Sequence, residues 1–158
     1  MSRPPRIEGF DYLGPYRYFV TFCTFDRRDV FSDIETAQFV LLQFCRTSRR
    51  RKFAILAYCL MPDHAHLLVE GTSPHSDFRR FMKSLKQSSG QTYAADAKRS
   101  LWQEGYYDHV LRDDDDVKQI ARYIIENPVR AGLVRMPLEY PFVGSDIWKL
   151  EELIGSLI

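Results

Sequence analysis

Two histidines, His64 and His66, stand in the run Met61-Pro62-Asp63-His64-Ala65-His66-Leu67-Leu68-Val69-Glu70. In an extended strand side chains alternate between faces, so residues two apart point the same way. His64 and His66 then share one face, and Ala65, Leu67 and Val69 turn to the core. Two imidazoles held like this can grip one metal ion. The same pair also reads as two surface histidines after a turn. The whole chain has only four His, so finding two at one spot favours the metal. Two imidazoles do not complete a site, and a further ligand must come from another element.

A periodic segment later in the chain offers one. Val117, Ile120, Ala121, Ile124 and Ile125 recur at helical spacing and make a buried stripe. Tyr123 and Asn127 are four apart, hence on one helical face, at the flank of that stripe. A phenol beside an amide at the border of a core suits site chemistry. Taken alone, Tyr123 reads equally as a core-edge tyrosine with its hydroxyl in water. Basic side chains form two clusters. Arg46, Arg49, Arg50, Arg51 and Lys52 close one helix, where cations also complement the helix dipole. Arg79, Arg80, Lys83 and Lys86 run along a second helix near its start, where that explanation fails and phosphate contact is the reading.

These residues need elements to position them. Residues 1–15 form an irregular arm, broken by Pro4, Pro5, Gly9, Gly14 and Pro15. Arg17 to Phe25 is aromatic and β-branched and reads as a strand. Ser32 with Glu35 fits a capping box, and a helix follows from Asp33 to about Arg49. Phe53 to Leu60 and His64 to Glu70 make a hairpin around Met61-Pro62-Asp63. Asp77 to about Ala95 is a second helix, and a fourth strand falls within Leu101 to Leu111. Asp113 to Asp116 precede a third helix, where negative charge favours a helix start. Pro128 ends or kinks that helix. The remainder, 129–158, is a C-terminal extension with a short helix or two. The order βαββαβα predicts an α+β, ferredoxin-like antiparallel sheet with helices on one face. The open face of such a sheet is a platform for single-stranded nucleic acid.

With 158 residues, 45% of them hydrophobic and 27% charged, the chain has the composition of one compact domain. No apolar run approaches the ~18–20 residues of a membrane span, and no secretory signal opens the chain. A cytoplasmic protein without a membrane partner is expected. Cys23, Cys45 and Cys59 are odd in number and in no C-x-x-C pair, which argues for small buried residues rather than a disulfide or thiolate site. The formal net charge of +1 hides an asymmetry. Residues 46–99 carry 11 basic and 4 acidic side chains, and residues 100–158 carry 6 and 11. A basic middle in a neutral chain points to a localised polyanion-binding face.

At this point the motifs resemble a known family. His64-Ala65-His66 resembles the HUH motif of single-tyrosine HUH endonucleases. Pro62 to Leu68 resembles that motif as it stands in insertion-sequence transposases. Tyr123-Ile124-Ile125-Glu126-Asn127 is similar to their catalytic-tyrosine helix. Trp102 to His109, with Asn127 to Val134, resembles the REP-associated tyrosine transposase branch. The resemblance runs from about Arg17 to Trp148, so that 1–158 reads as one HUH transposase domain. It implies a divalent metal, Mg²⁺ or Mn²⁺, and cleavage and rejoining of single-stranded DNA next to a hairpin. It makes His64 and His66 metal ligands, Tyr123 the nucleophile and Asn127 the third protein ligand. Relatives usually carry Gln where this chain has Asn127. Tyr93, Tyr106 and Tyr107 are rival nucleophiles without the matching helix.

The reaction implied is a transesterification giving a 5′-phosphotyrosyl enzyme and a free 3′-hydroxyl, with no need for ATP. A free phenol ionises near ~10, so charge stabilisation by a metal would matter. The mixed N/O ligand set suits Mn²⁺, and Mg²⁺ is the abundant cellular ion. Stem phosphates would lie on the basic middle, and Arg3, Arg6 and Arg17 are candidates to reach base edges. Monomer and homodimer both remain open. Two other readings stand beside this one: a single-strand-binding module without cleavage, and a small His-x-His hydrolase with a water nucleophile. Neither would leave a protein–DNA adduct.

Overall fold

The structure, a computed structural model, describes residues 7–113 and 115–155; Arg3 and Arg6 lie outside the described residues. Five strands form one antiparallel sheet: β1 (Arg17–Cys23), β2 (Phe53–Met61), β3 (His64–Gly71), β4 (Tyr107–Val110) and β5 (Val143–Gly144). Their order is β4-β1-β3-β2-β5. The first four strands have the ferredoxin-like arrangement that the order of elements predicts. Helices α1 (Ile34–Arg50), α2 (Phe78–Ala97), α3 (Val117–Ile125), α4 (Asn127–Arg130) and α5 (Leu150–Ile154) complete the fold.

Helix starts follow local chemistry. Asp77 and Asp116 cap α2 and α3 by accepting from the backbone N–H of Arg80 and Gln119. At α1 the cap is Asp33, which accepts from Thr36 N, rather than Ser32. Ser32 belongs to a short 3₁₀ turn, Val30–Ser32, just before the helix. The capping-box reading is therefore one residue early.

Alternation on the central strands builds two cores. Tyr18, Val20 and Phe22 of β1 and Ala65, Leu67 and Val69 of β3 face α1 and α2, where they meet Phe44, Phe78, Phe81 and Leu85. Tyr18 stacks on Phe78 with ring centroids 3.9 Å apart. On the other face Leu68 of β3 and Leu56, Ala57, Cys59 and Met61 of β2 pack with Ala121, Ile124 and Ile125 of α3 and Leu153 of α5. The expectation of helices on one face is thus corrected, because α3 and α5 cover the second. The reason is visible in β2, a nearly continuous apolar run (FAILAYCLM). Strands covered on both faces read that way, whereas a half-covered strand alternates. A register shift between Ile55 and Ala57 helps β2 serve both cores.

The α3 face is only partly covered. α3 lies over β2 and the middle of β3, with Phe19 of β1 at its margin, and the start of β3 opens onto a cleft. The segment after Asn127 is built into the same layer, with β5 pairing antiparallel to β2.

Candidate active site

β3 presents His64 and His66 at this open end. Across the ladder His66 sits opposite Thr21 and His64 opposite Cys23. The two rings lie 4.8 Å apart at 82° to one another. His64 Nδ1 is 2.7 Å from Asp63 Oδ1, and because a carboxylate only accepts, Nδ1 donates. His66 Nδ1 is 2.8 Å from Thr21 Oγ1. Both rings spend Nδ1 on the protein, so each offers only Nε2 to a further partner. Asp63 also accepts from Arg27 Nε at 3.0 Å. Burial alone would raise Asp63, but the His64 hydrogen bond and charge, with Arg27, hold its carboxyl below the usual range. Burial pushes His66 down to about 3, helped by the His64, Arg130 and Arg27 charges. It is therefore a neutral imidazole, the form that binds a metal.

α3 ends at Ile125 and the chain restarts as α4 at Asn127, with Pro128 in its first turn. Pro128 breaks the helix where the sequence predicts. Tyr123 and Asn127 therefore stand on consecutive short helices. The break turns Asn127 to β3, and its Nδ2 lies 3.5 Å from His64 Nε2. Tyr123 is half exposed, at 52%. Phe19 meets its ring edge-on at 6.3 Å, and the same Phe19 lies 5.7 Å from the His66 ring. His64, His66 and Tyr123 line one cleft of about 1100 Å³. Thus the structure sets His64, His66 and Tyr123 on one cleft and places Asn127 beside His64.

Sequence reasoning missed the support around them. Thr21 and Asp63 orient the imidazoles, and only the strand register reveals Thr21. The loop Gln103–Tyr106 walls the cleft. Gln103 N donates to Cys23 O at 2.9 Å, and Lys86 Nζ donates to the carbonyls of Gln103 and Gly105 at 2.7 Å each. Lys86, expected on phosphate, thus braces this loop. Tyr107 pairs with Thr21 and lines the same cleft, which makes it the nearest rival to Tyr123. Tyr106 lines the cleft too, but its ring packs edge-on against Phe78 at 6.0 Å, and Tyr93 packs on the α1–α2 core.

The other cations lie elsewhere. Arg17 pairs with Glu70 at 3.0 Å. Arg49, Arg50 and Lys52 are exposed at the far end of the sheet, and Arg50, Arg51, Lys52, His75 and Arg80 line a second pocket of about 350 Å³. Arg51 donates to Ser84 Oγ, Arg79 lies over the Tyr12 ring at 4.8 Å, Arg80 pairs with Asp77 at 3.6 Å, and Lys83 is exposed on α2. Of the cysteines only Cys59 is fully buried, its thiol pushed up to about 12 by burial; Cys23 and Cys45 are half-buried.

Among the described residues no three His, Cys, Asp or Glu side chains cluster to hold a metal. The Asn127 side chain stands beside His64 Nε2 with its Nδ2 facing that ring, and its amide oxygen is the donor that would join the imidazoles once the amide is turned about. An Asp and a Thr engaging the two Nδ1 atoms orient the rings in the way that metal-binding histidines are oriented. The residues present fit a divalent ion.

One ferredoxin-like sheet thus carries paired imidazoles and a helix-borne tyrosine on a single cleft. The family described as Transposase IS200 like matches residues 14–127, and the chain belongs to it. It is 28% identical over 132 residues to the REP-associated tyrosine transposase of Escherichia coli K12, covering 80% of this chain and 78% of that one. Its fold matches a solved structure of a REP-associated tyrosine transposase bound to a REP hairpin, with a TM-score of 0.73 and 26% identity, covering 90% of this chain and 82% of that chain. Transposases of this family are generally metal-dependent. No described helix is long and apolar enough to cross a membrane.

Proposed function

We propose that the chain binds hairpin DNA and cleaves and rejoins the adjoining single strand through Tyr123. The observation that carries this is the shared cleft: the phenol and both imidazoles open onto one cavity. Tyr123 Oη attacks phosphorus and loses its proton. The bond from phosphorus to the 3′-oxygen breaks, and the strand leaves as a 3′-hydroxyl. The 5′-phosphate stays on the enzyme as a tyrosyl ester, and attack by another 3′-hydroxyl reverses the step. His64 and His66, through Nε2, and Asn127, through its amide oxygen, would hold a divalent ion. When bound, that ion polarises the phosphoryl oxygen and stabilises developing charge. Asp63 and Thr21 keep the imidazoles aimed. The N/O donor set suits Mn²⁺ and admits Mg²⁺.

The cleft draws its tyrosine and imidazoles from one chain, which supports a site complete within a protomer. The solved relative bound to a REP hairpin supports a hairpin substrate. Stem phosphates fit the exposed cations at the far end of the sheet, and unpaired bases fit the aromatic cleft.

The test is incubation with labelled hairpin DNA carrying a single-stranded flank, plus Mn²⁺. A denaturation-resistant adduct is expected, absent in Tyr123→Phe while hairpin binding persists. Tyr107→Phe should still form it. Adduct in the first variant and none in the second would reassign the nucleophile to Tyr107. His64→Ala with His66→Ala should abolish the metal-dependent adduct.

A further inference from the structure

Arg130 stands seven residues beyond Tyr123, across the break at Glu126 and Pro128. Its guanidinium carbon lies 3.9 Å from the centroid of the Tyr123 ring. A guanidinium N–H of the same side chain donates to the backbone carbonyl of Tyr123. Glu126 pairs with that guanidinium at 3.8 Å. One cation therefore touches the nucleophile at its root and along its ring.

The root contact has a cause in helix geometry. The last carbonyls of an α-helix lack intrahelical partners. Here α3 stops at Ile125, so the carbonyls of its last turn have no continuation of that helix to supply partners. Arg130 supplies a side-chain donor to one of those carbonyls, and that carbonyl belongs to Tyr123. The ring contact is a stack between a planar cation and a π face. Among the described residues, Phe19 is the one aromatic side chain that meets the ring, edge-on, and the tyrosine is half exposed. An exposed tyrosine visits several staggered rotamers unless something selects one.

We propose that Arg130 is a positioning residue for Tyr123, holding the phenol arm over the cleft by capping its helix and stacking on its ring. This rests on Tyr123 being the nucleophile. Displacing a reacting group by about 1 Å can cost roughly a hundredfold in rate, so a loosened arm is expected to act on the chemical step rather than on DNA affinity. Lys keeps the cation but lacks the planar fork that reaches carbonyl and ring together.

The test uses the full chain, labelled hairpin DNA with a single-stranded flank, and Mn²⁺. Arg130→Met should slow adduct formation at saturating DNA by about tenfold or more. The DNA concentration for half-saturation should stay within about twofold, and Arg130→Lys should recover part of the rate. A wild-type rate in Arg130→Met overturns the proposal. So does a parallel loss of rate and affinity, which would make Arg130 a DNA contact. A second readout does not depend on cleavage. With ring-¹³C tyrosine, the Tyr123 signal is identified by its loss in Tyr123→Phe, and Arg130→Met should move it. If the wild-type protein forms no adduct, the nucleophile reading fails, and the ring signal still decides whether Arg130 holds the ring. If Arg130→Met does not fold, Arg130→Lys carries both measurements, and an unchanged rate and ring signal there overturn the proposal.

Discussion

At the scale of single residues, the site is decided by what holds each imidazole, more than by the imidazoles themselves. Asp63 fixes the His64 proton on Nδ1, and Thr21 anchors His66 through the same ring atom. Removing a partner that orients a metal ligand typically costs roughly 10–100-fold in metal affinity. Asp63→Asn and Thr21→Val should therefore raise the Mn²⁺ concentration for half-maximal adduct formation by a factor in that range. The rate at saturating Mn²⁺ should fall much less. Titrating Mn²⁺ against adduct yield checks this, and an unchanged metal requirement in both variants would remove the orienting role. Asp63 is legible in the sequence only as part of a turn. Thr21 is not legible there as a site residue, since its role comes from a strand register that pairs positions 45 apart in the chain.

Elements show the same division between what periodicity carries and what it omits. The hairpin of β2 and β3, helices α1 and α2, and the break at Pro128 all follow from local patterns that one strand or one helix satisfies by itself. The stripe on α3 announces burial without saying against which face, because periodicity marks the buried side of a helix and not its partner. β5 is two residues long, too short for any alternation to register. The Gln103–Tyr106 wall is held by Lys86 and by the backbone bond from Gln103 to Cys23, which a sequence pattern cannot display. Lys86→Met should loosen that wall while sparing the imidazoles. Faster amide hydrogen exchange at residues 103–107, with slower adduct formation and an unaltered Mn²⁺ requirement, is the expected outcome. Exchange at wild-type rates would show that the two carbonyl contacts do not hold the loop. Close approach at Gly71 is a stricter constraint. A Cβ there would lie 2.3 Å from the Gly14 carbonyl oxygen and 2.9 Å from Ser76 Cβ. Gly71→Ala should cost about 1–3 kcal/mol, read as a lowered Tm.

Over the whole molecule, charge and site are separated along the sheet. β3 runs eight residues from His64 to Gly71, so at ~3.3 Å per residue the exposed cations at its far end stand roughly 23 Å from the cleft. A duplex rises ~3.4 Å per base pair, so that distance is about seven base pairs. A stem could therefore rest on the cations while its unpaired flank enters the cleft. The contact would be with phosphate, which carries no sequence information but responds strongly to salt. Arg50→Gln, Arg51→Gln and Arg80→Gln should each weaken hairpin binding about equally across stem sequences. Each should also make the slope of log affinity against log salt shallower, by about one for every phosphate left without its cation. A single-stranded flank without a stem should bind all three variants as it binds the unaltered protein. Fluorescence anisotropy across a salt series, with hairpin and flank in parallel, measures both. Equal slopes for variant and unaltered protein would detach the basic end from DNA. A weakening seen equally with the bare flank would put those cations on the single strand, and the stem would then have to lie across another surface.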